Sequence, residues 1–152
     1  MERTALEAEL QTSEKIGIID LGSNSARLVI VRLFGGGYFM VEDELKESVR
    51  LGQDMDRDGF LKPQRVAETN KTLKMFKRLC DASGVTRIIA VATAAVRSAT
   101  NQRSFLDEIQ ATCGIRVEML SEEEETTLVY RGVINSMDIP QGNILELSGG
   151  ST

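Results

Sequence analysis

The sequence predicts an α/β domain built around a mixed sheet. Two features lead there: an early pair of apolar runs joined by a tight turn of small residues, and a later alternation of helical periodicity with short apolar runs. Antiparallel hairpins followed by helix–strand alternation place both pairing senses in one sheet. A chain of 152 residues, 41% hydrophobic and 27% charged, is large enough to bury a core as one domain.

Residues 1–15 read as a polar arm or short helix. Strands are expected at 16–20, 27–34, 38–45 and 47–51, with Gly35-Gly36-Gly37 as the second turn. From Pro63, the positions Val66, Leu73, Phe76 and Cys80 recur at helical spacing, and Gly84 supplies a stop. Residues 86–92 form a continuous apolar run, expected to be a strand buried on both faces. Phe105, Leu106 and Ile109 mark a second helix closed by Gly114, and Ile115–Leu120 alternates as a strand. A third helix is expected from Ser121 to about Asn135, then a last strand from Asn143 to Leu147. Cys80 and Cys113 fall on apolar helix positions and read as small core residues.

The run Ile-Gly-Ile-Ile-Asp-Leu-Gly-Ser-Asn-Ser at 16–25 carries the most chemical information. An apolar strand delivers Asp20 to its tip and breaks into a turn of Gly22, Ser23, Asn24 and Ser25. Converging backbone N–H groups in such a turn make an anion-binding concavity, and glycine lets a ligand approach the backbone. Asp20 beside it would repel a bare phosphate, so a divalent cation is the natural mediator. The plainer alternative is a polar hairpin turn with Asp20 as a local cap.

Glu146-Leu147-Ser148-Gly149-Gly150-Ser151-Thr152 repeats this logic: a strand, an acid near its tip, and a small-residue turn. Two such turns point to a site gripping a phosphate chain from both sides. Ser121 and Glu124 have the spacing of a capping box, and the acids Glu122 to Glu125 suit a helix N-terminus. Glu125 stands apart. At roughly 100° per residue it projects into the sector of Leu128, Val129, Gly132 and Val133, where partial desolvation favours a base. Arg97, just after the 86–92 strand, either leans into a crevice at the strand's carboxyl end or is an ordinary surface arginine. Asp54-Met55-Asp56-Arg57-Asp58-Gly59 opens like a calcium loop, but its twelfth position is Arg65, so a solvated turn is expected.

Taken in order, these segments resemble a known family. Ile-Asp-Leu-Gly-Ser-Asn-Ser at 19–25, Val-Arg-Leu-Gly at 49–52 and Ala-Thr-Ala-Ala-Val-Arg at 92–97 are similar to successive motifs of the exopolyphosphatase and guanosine pentaphosphate phosphatase (Ppx/GppA) family. Leu-Ser-Glu-Glu-Glu-Glu at 120–125, Tyr-Arg-Gly-Val at 130–133 and Ser-Gly-Gly-Ser-Thr at 148–152 continue the series. The resemblance implies a ribonuclease-H-like fold of the actin-like ATPase superfamily, in which this chain supplies the first lobe of a two-lobed enzyme. Residues 16–135 would be that lobe and 136–152 the start of the second. It further implies removal of the terminal phosphate of inorganic polyphosphate or of guanosine pentaphosphate, usually with Mg2+. Glu125 falls on the family's catalytic glutamate, which orients or deprotonates the attacking water, and Arg97 on a phosphate-contacting arginine. Gly22, Ser23, Asn24 and Ser25 form the first phosphate loop, Gly149, Gly150 and Ser151 belong to the second, and Asp20 and Glu146 would face the metal.

The family's second loop normally reads Asp-x-Gly-Gly-Gly-Ser-Thr-Glu; here Glu146 and Ser148 depart from it. With the family's final Glu and second lobe outside it as well, the stretch alone is expected to bind poorly and to hydrolyse little or nothing. A non-catalytic polyphosphate sensor and a sugar-kinase or actin-type ATPase lobe are the alternatives. A formal charge of −5 argues against a general nucleic-acid or acidic-membrane surface. The absence of His removes the usual Ser/His and Cys/His catalysis. No stretch approaches the ~20 apolar residues that span a bilayer, and the acid-bearing start lacks the pattern of a signal peptide. A cytoplasmic protein, possibly a homodimer, is expected.

Overall fold

The computed structural model describes residues 13–55 and 58–136. Strands β1 (Glu14–Leu21), β2 (Ser25–Leu33), β3 (Phe39–Ser48), β4 (Arg87–Ala92) and β5 (Val117–Met119) form one sheet in the order β3-β2-β1-β4-β5. β1 is central, antiparallel to β2 and parallel to β4, so the sheet is mixed as expected. Helices α1 (Pro63–Ala82), α2 (Ala94–Arg97), α3 (Gln102–Cys113) and α4 (Glu122–Ser136) complete the described chain. The arm over 1–12, the strand expected at 143–147 and the second small-residue turn lie outside the described residues.

One face of the sheet meets α1 and α3 in the main core. Ile19, Leu21, Leu28 and Ile30 pack there with Leu73 and Phe76 of α1 and Phe105 and Ile109 of α3, all almost fully buried. α1 starts with Pro63 inside its first turn, where a missing N–H costs nothing. A Cβ on Gly17 would lie 2.8 Å from Cys80 Sγ, so glycine is what allows α1 to approach β1 this closely. Gly84 (φ 73°) and Gly114 (φ 67°) follow α1 and α3 in the left-handed region that ends helices. Cys80 and Cys113 are free thiols in the core, and burial is the main reason the Cys80 thiol is pushed up.

Two sequence expectations change in the structure. The strands expected at 38–45 and 47–51 are one strand, β3, ending at Ser48. Pairing with β2 runs without interruption through Lys46, and the one bulge, at Glu42 opposite Ile30 and Val31, lies before it. Beyond Ser48, Arg50 adopts φ 48° and turns the chain back, so 49–51 leaves the sheet. Nor is β4 buried on both faces: Ala90 and Ala92 are buried, whereas Ile89 is 38% exposed. Among the described residues, α1 and α3 pack on the Ala90 side alone. As expected, Asp54 (φ 62°) lies in a turn, near Arg65, whose guanidinium is 3.6 Å from its carboxylate.

Candidate active site

The functional face is the one opposite α1 and α3. Strand alternation sends Ile19 and Leu21 into the core and Asp20 to the other side, at the carboxyl end of the central strand. The crossover from β1 to the turn and β2 therefore leaves Asp20 beside Gly22–Ser25. Gly22 N–H donates to Ser25 O at 3.0 Å and closes the turn. That N–H is consequently committed, and the N–H groups of Ser23 and Asn24 are the ones without an acceptor among the described residues.

The Val-Arg-Leu-Gly segment braces this turn from outside. Val49 and Arg50 N–H both donate to Asn24 O, at 3.1 and 2.8 Å, and Gly52 N–H donates to Ser23 O at 2.9 Å. Val49 and Leu51 are buried in the core, so the brace is itself anchored. A Cβ on Gly52 would come within 3.3 Å of both Ser23 Cβ and Ala95 Cβ, which ties the brace to α2 as well.

The other side of the site is α4. Ser121 N–H donates to Glu124 Oε2 at 2.8 Å and Glu124 N–H to Ser121 Oγ at 3.2 Å, the reciprocal capping box expected from the spacing. The Ser121 backbone N–H, followed by its hydroxyl, holds the Glu124 carboxyl below its usual range. Glu122, Glu123 and Glu124 are exposed, while Glu125 is half-buried on the same stripe as Val129 and Val133. Its Oε2 accepts from Arg97 Nη1 at 3.0 Å, and the same nitrogen donates to Leu120 O at 2.8 Å. Arg97 Nη2 lies 3.8 Å from Glu122. Leu120 N–H donates to Ala92 O, so β4, α2 and the start of α4 are stitched together at this corner.

A cavity of about 470 Å³ joins these parts. Asp20 and the turn residues Gly22 to Ser25 line one side, and Glu125, Leu128 and Val129 line the other. Asp20 is open towards the cavity yet crowded behind. Burial raises its carboxyl above the ordinary value of 3.8, the negative Glu125 adds to the rise, and Arg27 opposes it. Arg97 touches the site through Glu125. Glu146, Gly149, Gly150 and Ser151 lie outside the described residues.

Two lining residues escaped the sequence reading, Lys46 of β3 and Thr93 before α2. Thr93 belongs to the quoted 92–97 motif and follows a strand end, a position that could have singled it out. Lys46 carried no local signal, because its approach depends on pairing between β3 and β2. Among the described residues, no group of three or more His, Cys, Asp or Glu side chains is placed to hold a metal. Two carboxylates facing one cavity do match the donor set of Mg2+, which takes one or two carboxylates and completes its shell with water and phosphate oxygens.

Comparison with known proteins bears on the family and the fold. The Exopolyphosphatase 1 of Mycobacterium tuberculosis is 29% identical over 139 residues, covering 90% of this chain and 40% of that protein. The crystal structure of the Aquifex aeolicus Ppx/GppA family member superposes with a TM-score of 0.77 at 33% identity, covering 83% of this chain and 41% of that one. An exopolyphosphatase from Cytophaga hutchinsonii gives a TM-score of 0.76 at 31% identity, covering 80% of this chain and 39% of that one. The shared architecture is the actin-like, ribonuclease-H-like fold, and this chain spans about two-fifths of these relatives. No helix among the described residues is long and apolar enough to cross a membrane. With the family model matching residues 29–152, the chain belongs to the Ppx/GppA phosphatase family.

Proposed function

We propose that residues 16–135 form the first lobe of an exopolyphosphatase-type hydrolase, with 136–152 opening the second, acting in the cytoplasm on the terminal phosphate of inorganic polyphosphate. The observation that supports it most is that Asp20, the Gly22–Ser25 turn and Glu125, far apart in sequence, line one cavity. Family membership and relatives called exopolyphosphatases favour this substrate. The terminal phosphate of guanosine pentaphosphate is the second substrate to test.

In this reading, the N–H groups of Ser23 and Asn24 and the Ser23 and Ser25 hydroxyls hold the terminal phosphoryl group. Glu125 orients the attacking water and accepts its proton as the anhydride oxygen leaves. Arg97 holds the Glu125 carboxylate in place and, as the phosphate-contacting arginine of this reading, would share the charge of the transferring group. Mg2+, when bound, neutralises phosphate charge, and Asp20 is the described residue that would hold it, with Glu146 from the second turn as its counterpart. Such chemistry rests on positioning and charge, which suits a chain without His.

Phosphate release from inorganic polyphosphate by the full two-lobed protein tests the reading. Glu125→Gln is expected to reduce kcat by about 10²-fold or more while leaving KM within a few-fold. Wild-type-like turnover by that variant would remove Glu125 from the chemistry. A full-length protein inactive on both polyphosphate and guanosine pentaphosphate would favour the sensor alternative.

A further inference from the structure

Across the three antiparallel strands, Asp20 of β1 stands opposite Arg27 of β2, and Arg27 stands opposite Lys46 of β3. Directly opposed residues share a face, so the three side chains form one row over the sheet. Two strand spacings separate its ends, roughly 10 Å. Both ends, Asp20 and Lys46, line the cavity that holds the turn and Glu125.

Several neighbouring cations are occupied. Arg27 pairs with Glu44 at 2.5 Å, Lys15 and Arg32 pair with Glu42, and Arg97 is held by Glu125 and Leu120 O. Lys46 has no ion pair or hydrogen bond among the described residues, and it is the one cation lining this cavity. An acidic protein has thus left one ammonium unpaired at the far end of a cleft whose near end carries two carboxylates. A lone orthophosphate seated at the turn does not extend two strands across the sheet, whereas a linear phosphate chain does.

We propose that Lys46 holds the phosphoryl group beyond the reacting one, and so sets the preference of the cleft for a phosphate chain over orthophosphate. The inference rests on reading the cavity as a phosphate cleft, and it assigns the direction in which the chain leaves: from the Gly22 turn, over β2, towards β3.

Calorimetric titration of the full two-lobed protein with inorganic triphosphate and with orthophosphate, both in magnesium buffer, tests it. The wild type is expected to bind triphosphate more tightly. Lys46→Met should weaken triphosphate about tenfold and orthophosphate less than about twofold, and Lys46→Arg should restore most of the loss. Because Lys46 is exposed, the thermal melt of Lys46→Met should match the wild type, which separates binding from folding. Equal losses for both anions, no loss for either, or a wild type without preference for triphosphate would overturn the role of Lys46. Binding of neither anion by the wild type would overturn the phosphate-cleft reading as well. Since binding is read and not turnover, a Glu125→Gln enzyme with normal hydrolysis would leave this result standing.

Discussion

The two walls of the cleft are held in different ways. The turn wall is fixed from behind by the core: Val49 and Leu51 are buried, and their segment delivers three N–H donors to the Ser23 and Asn24 carbonyls. The α4 wall has no buried residue, and Leu128, Tyr130 and Ile134 are each about half exposed. It is held by its capping box and by Arg97 bridging Glu125 and Leu120 O. The turn backbone is therefore held firmly, whereas Glu125 stands on a helix tied mainly by polar contacts. Local stability follows buried apolar contact, so the two walls should open at very different free energies.

The largest effect should come from removing the anchor of the turn wall. Leu51→Ala deletes a fully buried side chain and should cost roughly 3 kcal/mol of global stability by denaturant titration. It should also loosen the turn more than it loosens α4. A loss below about 1 kcal/mol would mean that the brace is not core-anchored. Next comes the polar tie. Arg97→Ala removes the donor to Glu125 and Leu120 O and should speed amide exchange along α4 about tenfold, with little change in global melting. A matching rise in exchange at Gly22–Ser25 would erase the contrast between the walls.

The smallest effect is electrostatic and has a defined sign. Asp20 has a raised carboxyl value in the folded state, so its ionisation opposes folding. The penalty is absent well below the ordinary value of 3.8, grows as pH rises from there to the raised value, and is complete above it. In metal-free buffer at pH 7, Asp20→Asn should therefore melt a few degrees higher than the wild type, and the gap should close in acid. A lower melting temperature at pH 7 would mean that Asp20 is stabilised by partners in the folded state.

Much of this frame was legible in the sequence. Helical spacing from Val66 to Cys80 and the stops at Gly84 and Gly114 locate α1 and α3, because those signals are local. The Ser121–Glu124 box and the inward step of Glu125 were readable for the same reason. What escaped depends on contacts between distant segments. The continuity of β3 through Lys46 is set by its pairing with β2, and Val49–Leu51 looks like a strand because buried brace residues are apolar too. Gly22 N–H is used to close its own turn, a detail no spacing reveals. Lys46 enters the site through register alone.

The most direct measurement is an amide NMR titration of the full two-lobed protein with magnesium and inorganic triphosphate. The account expects shift changes at Asp20, Ser23 and Asn24 together with Thr93 and Glu125, saturating with one affinity. Changes confined to a single wall, or centred on the α1–α3 side of the sheet, would contradict a shared phosphate cleft.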